Sequence, residues 1–184
     1  MARNRAGNSI IFLSLLQTPM DVLILRHGKA GKRVTDGMAD GDRLLTPKGA
    51  KEIRGVARWM AKAGISPGVI ATSPLPRARE TAEIVANGIS FEGEVARWDE
   101  LGPGPDPETV ADRLAGLPDA TLVLLVGHEP QLSGLVAHLA GAGAGARIAL
   151  GKGGMAMIQR YDPASGISGE LAWLLTPDQI RDMT

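Results

Sequence analysis

The stretch TLVLLV at residues 121–126 is apolar at every position after its threonine. A strand of that kind has no polar face to offer water, so it belongs inside a sheet covered on both sides. Two shorter runs, VLIL at 22–25 and VIAT at 69–72, share its character, and segments of helical period lie between them. This alternation predicts an α/β fold: a three-layer sandwich with a mainly parallel central sheet flanked by helices, the three strands just named being parallel.

The helices are well punctuated. LTPKGAKEIRGVARWMAKAG opens with Thr46 as N-cap and Pro47 at the first helical position, puts Ile53, Val56, Ala57 and Met60 on one face, and stops at Gly64. RARETAEIVANG reads as a second helix with Ala78, Ala82 and Val85 inward and Gly88 as its stop. A Pro/Gly-rich loop, LGPGPDP, leads into a third helix over 107–116, and PQLSGLVAHLAG forms a fourth. GMAMIQRYD and ELAWLLTP are read as two closing strands joined by the turn DPASGISG, a hairpin.

A length of 184 residues suits one domain with a substantial apolar core. Lys plus Arg equals Asp plus Glu at 20 each, so no bulk positive charge recruits nucleic acid or a membrane surface, and any anion site must be local. The absence of cysteine removes disulfides, thiolate nucleophiles and sulfur-ligated zinc, and fits a reducing cytoplasm. A monomer is the favoured state. Residues 1–19 have a basic start and the apolar stretch IIFLSLL, about half of what a spanning helix needs and without a small-x-small cleavage site. They are read as a disordered leader or as lying ahead of the true start at Met20, with a single domain over residues 20–184.

Three strands end alike: VLIL-RHG, VIAT-SPLPR and TLVLLV-GHEP. In open α/β sheets ligands bind beyond the carboxyl ends of the strands. If the three are neighbours, Arg26, His27, Arg77 and His128 converge on one pocket suited to a compact oxyanion, phosphate above all, which a guanidinium grips through two parallel hydrogen bonds. Taken singly, Arg26 and His27 read equally well as a solvated turn, Arg77 could be an exposed helix residue and His128 a helix-entry residue; their recurrence at three strand ends argues against those readings. Binding alone would not need His27. Among arginines, however, an imidazole is disfavoured as a cation and keeps a lone pair near pH 7. His27 is therefore the candidate nucleophile, to be phosphorylated in passing, with Arg26, Arg77 and His128 neutralising the phosphoryl oxygens. Arg79, by contrast, reads as an ordinary exposed helix residue. His138, on a helical face with Leu135 and Leu139, reads as structural or half-exposed.

Through LRHGKA, LTPKG, TSPLPRARETA and LVGHEP, in that order, the sequence resembles the histidine phosphatase superfamily, the phosphoglycerate mutase-like group, and most of all its short SixA-type branch of phosphohistidine phosphatases. The match runs from about residue 21 to about residue 160. The resemblance implies the same α/β fold, His27 as nucleophile, Arg26, Arg77 and His128 as phosphate ligands, and no metal or other cofactor. It also implies a substrate that is a phosphohistidine-bearing protein, in signal transduction, or a small phosphate ester. Many members carry a glutamate that protonates the leaving oxygen. Glu100 in RWDELGPG lies at a plausible distance for that role, which the SixA-type branch often dispenses with. Short connections suggest an open site.

Other readings compete. A phosphatase or mutase for sugar phosphates or nucleotides would use the same pocket, and a non-catalytic phosphate-recognition module would use it without turnover. GKAGKR lacks the Walker spacing and has Arg33 where the magnesium-binding hydroxyl belongs. GAGAGA at 141–146 follows a helix rather than a strand, so it is a helix stop and no dinucleotide fingerprint. The three histidines have neither the i, i+4 pairing nor the carboxylate spacing of a zinc site.

Overall fold

The computed structural model describes residues 19–31, 40–117, 121–143 and 145–183. The expected leader thus falls, but for Pro19, outside the described residues. The chain runs β1 (Met20–Arg26), α1 (Pro47–Lys62), β2 (Val69–Thr72), α2 (Pro76–Gly88), β3 (Val95–Arg97), α3 (Pro107–Ala115), β4 (Leu122–Gly127), α4 (Gln131–Leu139), β5 (Met155–Tyr161), β6 (Glu170–Leu175) and α5 (Pro177–Asp182).

The strands form one six-stranded sheet in the order β3-β2-β4-β1-β5-β6. β3, β2, β4 and β1 are mutually parallel, whereas β5 and β6 close the sheet antiparallel as a hairpin. The three expected parallel strands are therefore neighbours, with the TLVLLV strand between the other two. Its alternate residues serve opposite faces. Val123 and Leu125 join Val22 and Ile24 in a core closed by Val110 and Leu114 of α3 and Leu132, Leu135 and Val136 of α4. Leu124 and Val126 join Leu23 and Leu25 in a second core closed by Ile53, Val56 and Met60 of α1, Ala78, Ala82 and Val85 of α2, and Ile180 of α5. The three layers expected from the sequence are these helices, the sheet, and those helices.

Helix boundaries follow local chemistry. The Thr46 hydroxyl accepts from the Gly49 N–H at 3.0 Å, and Gly64 takes φ +69° beyond the end of α1. α4 ends at Leu139, and Gly141 takes φ +64°, as expected of a helix stop. Two elements were not foreseen. β3 has only three residues, too few for a pattern to show. The reading of ELAWLLTP as strand throughout is corrected: β6 ends at Leu175, and Thr176 opens α5 through a reciprocal capping box with Gln179.

Candidate functional site

β1 and β4 pair in parallel with Arg26 opposite Gly127, so the next residue of each, His27 and His128, leaves the sheet at the same level. Neighbouring strands lie about 4.8 Å apart, and the two imidazole rings accordingly sit with centroids 4.9 Å apart. Register brings together two histidines that are 101 positions apart in the chain. β2 supplies the third contribution. Ser73, just past its end, donates its N–H to Val126 O at 2.9 Å, and its hydroxyl lies 2.8 Å from His128 Nε2. Pro76 then starts α2, and Arg77 in its first turn reaches back to donate Nε–H to His27 Nε2 at 3.3 Å.

His27, Arg77 and His128 are buried at 6%, 4% and 3% exposure, so the expected convergence places polar groups where solvent does not screen them. His27 is fixed on both nitrogens. Nδ1 lies 2.7 Å from the Gly28 carbonyl, which can only accept, so Nδ1 bears the proton and Nε2 the lone pair. The ring is held well below the ordinary histidine range, at about 4. Burial is the main cause, the Gly28 carbonyl opposes it, and the cations Arg77, Arg26 and Lys152 add to the depression. The sequence pointed to the cations; desolvation outweighs them. At neutral pH His27 is an uncharged imidazole with its lone pair facing a guanidinium.

Arg26 is held by a hydrogen bond from its guanidinium to Leu150 O at 2.9 Å. The loop before β5 also steadies the end of β1, since Gly153 N–H donates to Arg26 O at 3.0 Å and His27 O at 3.1 Å. Gly28 has to be glycine: a Cβ there would lie 2.8 Å from Ile53 Cγ1 in α1. Its N–H donates to Thr81 Oγ1 at 3.1 Å, and that hydroxyl donates to Arg77 O at 2.7 Å, tying the strand carrying the histidine to the helix carrying the arginine. Sequence reasoning did not single out Ser73, Thr81, Lys152, Gly153 or Gln131. Ser73 and Thr81 lie inside TSPLPRARETA, and their spacing from Arg77, four residues on either side, was the available signal. Gln131 donates to Glu100 O at 2.5 Å and Pro105 O at 3.0 Å, fixing the loop beside His128.

Glu100 is not poised as an acid. Its Oε1 accepts from Arg113 at 2.9 Å, and hydrogen bonding to its own backbone N–H, with help from Arg113, holds the carboxyl below the usual range. A general acid at neutral pH needs the opposite shift. His138 is exposed while Leu135 and Leu139 beside it are buried, so of the two readings, structural or half-exposed, the structure favours the exposed one. Arg79 is exposed as expected and lies 3.8 Å from Glu83.

Such a set of residues can grip a tetrahedral anion and offer it a nitrogen nucleophile. Residues 22–103 match the model of the histidine phosphatase superfamily, branch 1. An uncharacterised protein of Picosynechococcus sp. is 38% identical over 149 residues, 74% of this chain and 82% of the relative. The phosphohistidine phosphatase SixA of Escherichia coli is 32% identical over 122 residues, 65% of this chain and 74% of the relative. A solved structure of the protein histidine phosphatase SixA complexed with tungstate superposes with a TM-score of 0.75 at 28% identity, covering 86% of this chain and 98% of that one. With sequence, fold and these likenesses in agreement, the chain belongs to the histidine phosphatase superfamily, on its SixA-like branch.

Proposed function

We propose that the protein hydrolyses phosphohistidine borne by another protein, through a phosphohistidine formed transiently at His27. The observation that carries this reading is the state of His27: neutral, with Nδ1 committed to the Gly28 carbonyl and Nε2 turned toward Arg77 and the neighbouring His128. When a phosphoryl group enters, the Arg77 N–H turns from Nε2 to a phosphoryl oxygen, and Arg26 and His128 take the others. The Nε2 lone pair forms a bond to phosphorus as the substrate P–N bond breaks, its electrons going to the leaving nitrogen. Water then attacks phosphorus, the P–Nε2 bond breaks with its electrons returning to Nε2, and inorganic phosphate departs with the hydroxyl of that water while the other proton passes to solvent.

The condition of Glu100 favours a nitrogen leaving group. An alkoxide leaves poorly without a proton, and Glu100 is ionised and held by Arg113; an imidazole takes its proton from solvent with far less need of a placed acid. This supports phosphohistidine over sugar or nucleotide esters; a cytoplasmic signalling role is proposed along with that substrate.

The test is a panel of a phosphohistidine peptide, sugar phosphates and an aryl phosphate, assayed in excess chelator with wild type and His27→Ala. The reading expects kcat/KM highest for phosphohistidine, an alkali-stable and acid-labile phosphoenzyme in the wild type, and a loss on the order of 10⁴-fold in the variant. Near-normal turnover by His27→Ala would remove the nucleophile assignment. A higher kcat/KM for esters would move the substrate class to small metabolites, and binding without turnover would make the site a recognition module.

A further inference from the structure

Positive charge is gathered on one helix of a chain whose 20 basic and 20 acidic residues cancel. Lys48, Lys51, Arg54, Arg58 and Lys62 are exposed positions of α1, while its one acid, Glu52, is taken by Lys29 at 2.8 Å. On a helix of 3.6 residues per turn, positions 48, 51, 55, 58 and 62 fall along one side. Lys48, Lys51 and Arg58, with the Lys29-paired Glu52 among them, line a single groove of about 660 Å³, whose other wall is Pro177, Asp178, Ile180 and Arg181 of α5. None of the three lysine and arginine side chains from α1 pairs with a carboxylate among the described residues.

Two details set this groove apart from a merely solvated face. The first turn of α1 holds Lys48 and no acid, although a helix N-terminus is the end that favours negative charge. The middle of the groove is Gly55, where a Cβ would meet nothing nearer than the Arg58 guanidinium at 3.8 Å. Glycine in the interior of a 16-residue helix weakens it relative to alanine. Both departures leave the groove basic at its rim and hollow at its centre.

The groove also begins beside the catalytic strand. Thr46 N–H donates to Lys29 O at 2.8 Å, two residues beyond His27. At the other wall, Pro177 packs 3.1 Å from where a Cβ of Gly153 would sit, and Gly153 holds the His27 carbonyl.

We infer that the α1–α5 groove docks an acidic amphipathic helix of the phosphorylated partner. Its carboxylates meet Lys48, Lys51 and Arg58, an apolar side chain enters above Gly55, and the phosphohistidine beside it is delivered to His27. The inference deepens the proposed function and rests on its protein substrate. A helix laid in a groove is a common recognition mode, and charge complementarity decides which helix fits.

The experiment compares two phosphohistidine peptides of equal length, one flanked by alternating glutamate and leucine clusters and one by lysine and leucine, together with free phosphohistidine. Wild type should prefer the acidic peptide by about tenfold or more in kcat/KM at low salt, with the preference shrinking as salt screens the contacts. The triple variant K48E/K51E/R58E should lose that preference while hydrolysing free phosphohistidine at the wild-type rate. Gly55→Leu should lose it too, although leucine is the better helix former, so the loss cannot be assigned to unfolding. Equal turnover of both peptides by wild type, or a preference that survives in both variants, would overturn the inference. So would wild type sedimenting with phosphatidylglycerol vesicles while ignoring the acidic peptide. If no phosphohistidine compound is turned over, the proposed function fails by itself; anisotropy of the unphosphorylated acidic peptide then decides the groove, binding that the triple variant loses supporting it and no binding to wild type refuting it.

Discussion

β4 and β6 are both six-residue strands of one sheet, yet their surroundings have little in common. β4 lies between β1 and β2, parallel to both, and five of its six residues are buried. β6 lies at the edge beside β5 alone, with three residues exposed and three half-buried. A strand with a neighbour on each side and a helix layer on each face has one register available, because a shift of one residue would exchange its two sets of side chains between the faces. That certainty extends past the last residue: His128 meets His27 because Gly127 is opposite Arg26. The end of β6 places no residue opposite His27 and leads into the short capped helix α5, whose Pro177 reaches the site through Gly153. The chemistry collects where strand placement is most tightly determined.

The largest effect expected from this contrast is on β4 itself. Leu124 is fully buried, opposite Leu23 of β1 and Ile70 of β2 on the face covered by α1 and α2. Leu124→Ala should cost about 2–5 kcal/mol, from lost burial plus a cavity in a layer with little room to relax. Urea denaturation measures it. A loss below about 1 kcal/mol would mean that β4 is not the rigid member of the pair.

The same contrast explains what could be read in advance. TLVLLV, VLIL and VIAT announced themselves because double-sided burial removes every polar residue from a strand. Thr46-Pro47 and Gly64 marked α1 because caps are local chemistry. Arg26, His27, Arg77 and His128 were legible as a group only because three such strands end in them. Ser73, Thr81 and Gly153 were not, since each acts by holding another residue across the fold and that partner cannot be seen from spacing. β3 escaped notice because Val95–Arg97 is too short for an alternation, and α5 because six residues carry too few apolar positions to show a helical period. The capping box from Thr176 to Gln179 was its readable signal.

A smaller and more specific effect comes from His27. Its value falls from 6.5 to about 4 in the folded protein, chiefly through burial, so between those values the unfolded chain binds the proton and the native protein does not. Stability from this residue is therefore constant above pH 6.5, declines as pH falls from 6.5 toward 4, and is constant again below. The whole decline is worth about 3 kcal/mol. It should appear as a difference between wild type and His27→Asn in denaturation midpoints measured across that window. The acid limb of kcat/KM should likewise lie near pH 4. A limb near 6.5 would show that the ring is not shielded from water as its 6% exposure indicates.

The smallest effect belongs to β6. Leu171 stands opposite Ile158 of β5, yet 41% of its surface stays in water, so replacing it removes little burial and leaves no enclosed void. Leu171→Ala should change stability by about 0.5 kcal/mol or less and leave kcat/KM for phosphohistidine unaltered. Paired with Leu124→Ala, it holds the chemical change constant and varies only the place of the strand in the sheet. Equal losses from the two substitutions, measured by urea denaturation in the same buffer, would break the comparison: the outer face of β6 would then have to be covered in solution, and its exposed leucine would belong to a contact rather than to an edge.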